Sequence, residues 1–132
     1  MIARGIVAAI ALGLAASGTA HAATLVSPPL TPGDGNSLAC AVTNAGGTSQ
    51  SVTIEVYGFV LSVGGGQLIA GPSTVPVAPL ATHSLTVPDT PDETPRVCKF
   101  SVLTWTAKSL RAVACVVPGL DDSNPVVCVA AQ

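Results

Sequence analysis

Four cysteines, a single histidine beyond residue 22 and two short acidic loops hold most of the side chains that could do chemistry in this 132-residue chain. Cys40, Cys98, Cys115 and Cys128 are separated by 57, 16 and 12 residues. Structural zinc sites use close ligand pairs such as C-x2-C, so this spacing argues for two disulfides rather than a metal centre. Nucleophilic hydrolysis needs a base beside a serine or thiolate. His83, in Thr82-His83-Ser84, is the only imidazole available, and no G-x-S-x-G is present. The plain reading of His83 is an exposed histidine on a strand. Asp89, Asp92 and Glu93 in one loop, with Asp121 and Asp122 in another, could form a carboxylate pair for glycoside hydrolysis. Their Pro-, Ser- and Asn-rich surroundings suit solvated turn carboxylates instead. Asp121, Asp122 and Asn124 also group hard oxygens of the kind Ca²⁺ takes, as do Asp34 and Asn36, but no complete calcium-loop motif is present. Trp105 stands between Thr104 and Thr106 with Lys108 and Arg111 close in sequence. Such a Trp is either a contact residue on a binding loop or a cap folded over the core.

The location of the chain bears on all of these readings. Residues 1–22 have the three parts of an export signal. Arg4 supplies a positive start, residues 6–16 are apolar, and Ala20-His21-Ala22 is an Ala-x-Ala cleavage site. The apolar run is about half the ~20 residues needed to span a bilayer. Cleavage before Ala23 leaves 110 residues with 4 basic and 7 acidic side chains, a net charge of −3. That balance offers no electrostatic hold on nucleic acid. In an oxidising compartment an even cysteine count reads as a disulfide framework, and thiolate chemistry is excluded. The expectation is a secreted or periplasmic domain over residues 23–132, with no cofactor and no membrane span.

The elements that position these residues are short and alternating. Eleven prolines and thirteen glycines argue against long helices. Residues 36–44 (NSLACAVTN) place Leu38, Cys40 and Val42 on one face, with Ser37, Ala39, Ala41 and Thr43 on the other. Residues 51–60 place Val52, Ile54 and Val56 inward, with Thr53, Glu55 and Tyr57 outward. The glycine-rich turn between them predicts a β-hairpin. Residues 67–70 read as a short strand, and 71–79, with three prolines, as edge or loop. Residues 81–87 read as a strand with Leu85 and Val87 inward. Residues 96–104 alternate with Cys98, Phe100 and Val102 on one face, and 110–117 with Leu110, Ala112 and Ala114 on one face. Residues 126–130 close the chain as a short edge strand, and 23–32 read as a frayed strand. About seven strands with turn signals between them predict an all-β, two-sheet antiparallel β-sandwich.

The stretch from Leu38 to Val102 resembles secreted bacterial adhesion-type modules with an immunoglobulin or fibronectin type III-like sandwich. The resembling residues are Val42-Thr43-Asn44-Ala45-Gly46 at the end of one strand and Val52-Thr53-Ile54-Glu55-Val56-Tyr57 as the next. Val77-Ala78-Pro79-Leu80 then leads into Ser84-Leu85-Thr86-Val87. The likeness covers about half the chain. The four cysteines and the segment after Val117 depart from the pattern. The resemblance implies a scaffold or interaction role and carries no catalytic residues. In such a sandwich the strands bearing Cys40 and Cys98 lie in opposite sheets, which implies a core disulfide between them. Cys115 is out of phase with Ala112 and Ala114 and faces outward, where Cys128 could return to it. The rival pairing is Cys98 with Cys115 across a tight turn at Thr106-Ala107.

Two functions follow as expectations. One is a secreted non-enzymatic interaction or structural module. The other is a small carbohydrate- or calcium-dependent binding protein resting on Trp105, Lys108, Arg111 and the acidic loops.

Overall fold

The structure is a computed structural model that describes residues 22–33, 35–60, 65–88, 94–102, 107–119, 125 and 127–132. Eight strands run β1 (Ala23–Val26), β2 (Asn36–Asn44), β3 (Gln50–Val60), β4 (Gly65–Val77), β5 (Thr82–Val87), β6 (Arg96–Val102), β7 (Leu110–Pro118) and β8 (Val127–Ala130). A 3₁₀ turn, Ala107–Ser109, precedes β7. The strands form two antiparallel sheets, ordered β1-β6-β3-β4 and β5-β2-β7-β8. Of residues 1–22, read from the sequence as an export signal, residues 1–21 lie outside the described residues, and β1 begins at Ala23.

Alternation builds the core. The inward residues Leu38, Cys40 and Val42 of β2 and Leu110, Ala112 and Ala114 of β7 face Val52, Ile54 and Val56 of β3. Cys98, Phe100 and Val102 of β6 complete the same cluster, and every one of these twelve is at most 4 % exposed. Each fully buried Val, Leu, Ile or Phe contributes about 1.5–3 kcal/mol of hydrophobic stabilisation. The Cys40–Cys98 disulfide joins the two sheets through the middle of this core, at a Cα–Cα distance of 5.7 Å. Cys115 pairs with Cys128, its direct cross-strand neighbour on β8. The rival Cys98–Cys115 pairing is therefore excluded: Cys98 is bonded to Cys40 inside the core, while Cys115 lies on the outer face of its sheet, bonded to Cys128.

One sequence expectation is corrected and two are sharpened. Residues 36–44 and 51–60 do not form a hairpin: β2 and β3 lie in different sheets. Both strands carry a fully buried apolar face, and a two-sheet core lets those faces meet each other across the gap. Residues 23–26, within the stretch read as a frayed strand, pair with β6 from Ala23↔Val102 to Val26↔Lys99, so the described residues hold eight strands where about seven were expected. Residues 65–77 form one continuous edge strand, so of the edge and loop alternatives for residues 71–79 the edge holds through Val77 and joins the strand before it. Proline is tolerated there because one side of an edge strand needs no ladder donor. The register against β3 shifts between Ile54 and Tyr57. Gly71 sits beside this irregularity with φ +89°, a conformation glycine takes without steric cost.

Cys115 faces away from the main core, as its phase predicts, yet it is buried. Together with Ala39 and Val117 it forms a second, small apolar cluster on the outer face, with Val113 packed against it. The centre of the β2-β7 pair is thus covered on both faces.

Candidate functional site

Strand direction sorts the candidate residues to two ends of the sandwich. At one end lie Asn44, Gln50, Val77, Thr82, Val102 and Leu110; at the other lie Asn36, Val87, Arg96 and Pro118. Lys108 and Arg111 sit at the first end, and both are exposed. The Arg111 guanidinium donates from Nη1 to the carbonyls of Lys108 (2.8 Å) and Leu110 (3.0 Å). The fork is thereby tied back onto its own turn. Trp105 lies outside the described residues. So do Asp34, Asp89, Asp92, Glu93, Asp121, Asp122 and Asn124. Pro118 and Val127, which bracket the Asp121–Asn124 candidates, stand at the end of the sandwich away from Lys108.

His83 lies on β5 opposite Val42 and is half-buried rather than exposed. It has the parity of Leu85 and Val87, so its ring leans toward the core margin. Among the described residues no group of three or more His, Cys, Asp or Glu side chains could hold a metal ion. Nor is any helix among them long and apolar enough to cross a membrane.

The structure assembles three polar features that sequence reasoning missed. The first is an ionic cluster on the outer face of the β6-β3 pair. Glu55 and Lys99 are register partners, and Lys99 Nζ lies 3.0 Å from Glu55 Oε2. The Tyr57 hydroxyl donates to Glu55 Oε1 at 3.1 Å, and Lys99 Nζ is 5.7 Å from the Tyr57 ring centroid. The hydrogen bond to Glu55 and the charge of Glu55 raise the Lys99 ammonium above its ordinary 10.5. Outward Glu55 and Tyr57 were legible from alternation. Their neighbour Lys99 was not, because nothing local shows that β3 and β6 are adjacent.

The second is Asn44, which is polar and fully buried. Its Nδ2 donates to the carbonyls of Thr48 (2.7 Å) and Val77 (2.9 Å), and its Oδ1 accepts from the Gly46 N–H (2.9 Å). One side chain thus fixes the corner at which the chain passes from one sheet to the other. The third is Arg96, 1 % exposed, on the same face of β6 as Cys98 and Phe100. A buried guanidinium persists only where its donors are met, and Nη1 donates to the Pro88 carbonyl at 3.0 Å. An arginine in phase with Cys98 and Phe100 was the available signal.

The Glu55, Tyr57, Lys99 and Asn44 side chains satisfy one another or the backbone, and the four cysteines are joined in pairs. Comparison of the chain with protein-family models, with curated proteins and with solved structures found no match.

Proposed function

We propose that this chain is a secreted, non-enzymatic interaction or structural module. The observation that carries the reading is the use of all four cysteines as staples, one through the core and one across the β7-β8 edge. Disulfides persist in oxidising compartments, so the two bridges are compatible with an extracytoplasmic location and agree with the export signal read at residues 1–22. Together they restrain the unfolded chain and leave a rigid frame with its loops at two ends. Rigid frames with loops at their ends present binding surfaces.

The likeness to immunoglobulin-type modules supports the same reading. In those modules a disulfide joins the second and sixth strands in opposite sheets, as Cys40 on β2 and Cys98 on β6 do here. The last strands depart from that plan, since β7 lies beside β2 rather than beside β6. Shared architecture alone does not assign a function.

The experiment is capture from the producing cell's own surface and medium, with the oxidised mature protein as bait. A macromolecular partner that free domain competes away is the expected result. Glycan binding abolished by Trp105→Ala would transfer the assignment to the carbohydrate reading. Catalytic turnover lost on replacing His83 or Asp92 would overturn the non-enzymatic reading.

A further inference from the structure

The two disulfides differ in how they can be reached. Cys40 and Cys98 are each 0 % exposed, and their bond crosses the core between β2 and β6. A reductant meets that bond only when the two sheets part. Cys115 and Cys128 are direct neighbours across β7 and β8, on the face of the sheet that looks away from the main core. Among the described residues no strand lies beyond β8 in its sheet. Cys115 is 8 % exposed beside Ala39 and Val117, whereas Cys128 is exposed. One half of this bridge is sheltered and the other faces solvent.

The same bridge holds a strand with few other anchors. β8 is four residues long, and Val127, Cys128 and Ala130 are exposed. Val129, with Ala131 just beyond the strand, packs against the main core. The Ala131 N–H donates to the Ala112 carbonyl (2.9 Å), the Val26 N–H to the Gln132 carbonyl (2.9 Å) and the Gln132 N–H to the Val26 carbonyl (3.1 Å). The last two bonds join β1 of one sheet to the segment that follows β8 of the other, so they hold only while β8 is in place. A short, largely exposed edge strand has little buried surface with which to resist local opening. The bridge restrains it by closing a loop of sequence separation 13, which limits the conformations open to a detached strand.

We propose that the Cys115–Cys128 bond is a thiol–disulfide exchange site, opened by an external dithiol while the protein is folded, and that its reduction releases β8 and residues 131–132 from the sandwich. One thiolate of the dithiol attacks the sulfur of Cys128, the accessible residue, and a mixed disulfide forms. The Cys115–Cys128 bond breaks, its electron pair stays on the Cys115 sulfur, and that sulfur takes a proton from water. The second thiolate of the dithiol then attacks the dithiol's own first sulfur, now bonded to Cys128. It displaces the Cys128 thiolate, which is protonated in turn. The bridge has gained two electrons, and the dithiol leaves as a disulfide. Cys40–Cys98 keeps the two sheets joined throughout, while β7 becomes an edge and Val26 loses its partner. The inference goes beyond the interaction-module reading and does not depend on it.

Reduction with dithiothreitol in native buffer, stopped by alkylation at intervals and mapped by mass spectrometry, tests the site. The expected result is a two-thiol species, alkylated at Cys115 and Cys128 and still linked from Cys40 to Cys98. It should form about a hundredfold or more faster than the fully reduced chain, because only the core bond waits for global opening. Its rate should stay constant in urea below the unfolding transition, whereas opening of Cys40–Cys98 should accelerate steeply, since that step exposes the core. Hydrogen exchange of the two-thiol species, held reduced without alkylation, reads the release. The Val26, Ala131 and Gln132 amides should lose protection about tenfold or more, while the Leu30 and Arg96 amides, each bonded to the other's carbonyl, keep theirs. Both bridges opening together, a Cys115–Cys128 rate that rises with urea in step with Cys40–Cys98, or unchanged protection at the first three amides would overturn the proposal. None of these results touches the interaction-module reading, which partner capture tests separately.

Discussion

Replacing Asn44 with alanine removes three hydrogen bonds from the corner between the sheets, and their setting fixes the cost. The bond to the Val77 carbonyl is buried. Stranding a buried acceptor costs about 1–3 kcal/mol. The bonds involving Thr48 and Gly46 are only part-buried, so water can replace them at about 0.5 kcal/mol each. The expected loss is about 2–4 kcal/mol. At about 4 °C per kcal/mol for a domain of this size, the melting temperature should fall by roughly 8–16 °C. Asn44→Asp is the sharper variant. It keeps the shape but turns an acceptor oxygen toward the Thr48 and Val77 carbonyls, so near neutral pH it should cost at least as much as alanine. Protonation restores one donor, so the gap to the parent protein should narrow as the pH falls. Thermal unfolding of the oxidised protein followed by circular dichroism measures all three. An Asn44→Asp protein as stable as the parent at pH 7 would refute the corner account.

Three further perturbations separate other parts of the structure. Closing a loop of sequence separation 58 restrains the unfolded chain more than closing one of 13. Replacing both Cys40 and Cys98 with serine should therefore cost about 4 kcal/mol, against about 3 kcal/mol for Cys115 and Cys128, with the reverse order in urea unfolding contradicting this. Gly71→Ala should destabilise by about 2 kcal/mol or more. Its φ is +89° and a Cβ would stand 2.5 Å from the Ile54 carbonyl oxygen, so an unchanged urea midpoint would count against the observed turn. The raised Lys99 means that its stabilising contribution is complete below pH 10.5 and is lost only as the pH rises through the folded value. A Lys99→Met comparison should thus show a constant stability difference between pH 6 and pH 9, and a difference that varied within this window would place the ionic cluster elsewhere.

Which features were legible in the sequence depends on the range of the interaction behind them. Alternation is local, so the faces of β2, β3, β6 and β7 could be read directly, and with them the inward Cys40 and Cys98 and the outward Cys115. Alternation states which side of a strand is buried but not against which sheet. That is why β2 and β3 read as a hairpin when their apolar faces meet across the core. Adjacency of β3 and β6 is likewise non-local, which hid the Glu55-Tyr57-Lys99 cluster. Asn44 read only as the end of a strand because its partner, the Val77 carbonyl, lies 33 residues away. Prolines exclude a central strand but not an edge, so residues 71–79 read as edge or loop, and their continuity with residues 65–70 was not legible. Of the candidate site, Lys108 lies in the 3₁₀ turn and Arg111 on β7, and the Arg111 fork is occupied by its own backbone. Trp105 and the acidic loops fall outside the described residues.

The central proposal is an exported sandwich, stapled by two disulfides. Peptide mapping of the protein recovered from outside the cytoplasm, by mass spectrometry without reduction, tests this most directly. The expected spectrum contains a first peptide beginning at Ala23 and two linked fragments, Cys40 with Cys98 and Cys115 with Cys128. A linked fragment joining Cys98 to Cys115, or four free thiols on a chain still beginning at Met1, would contradict it.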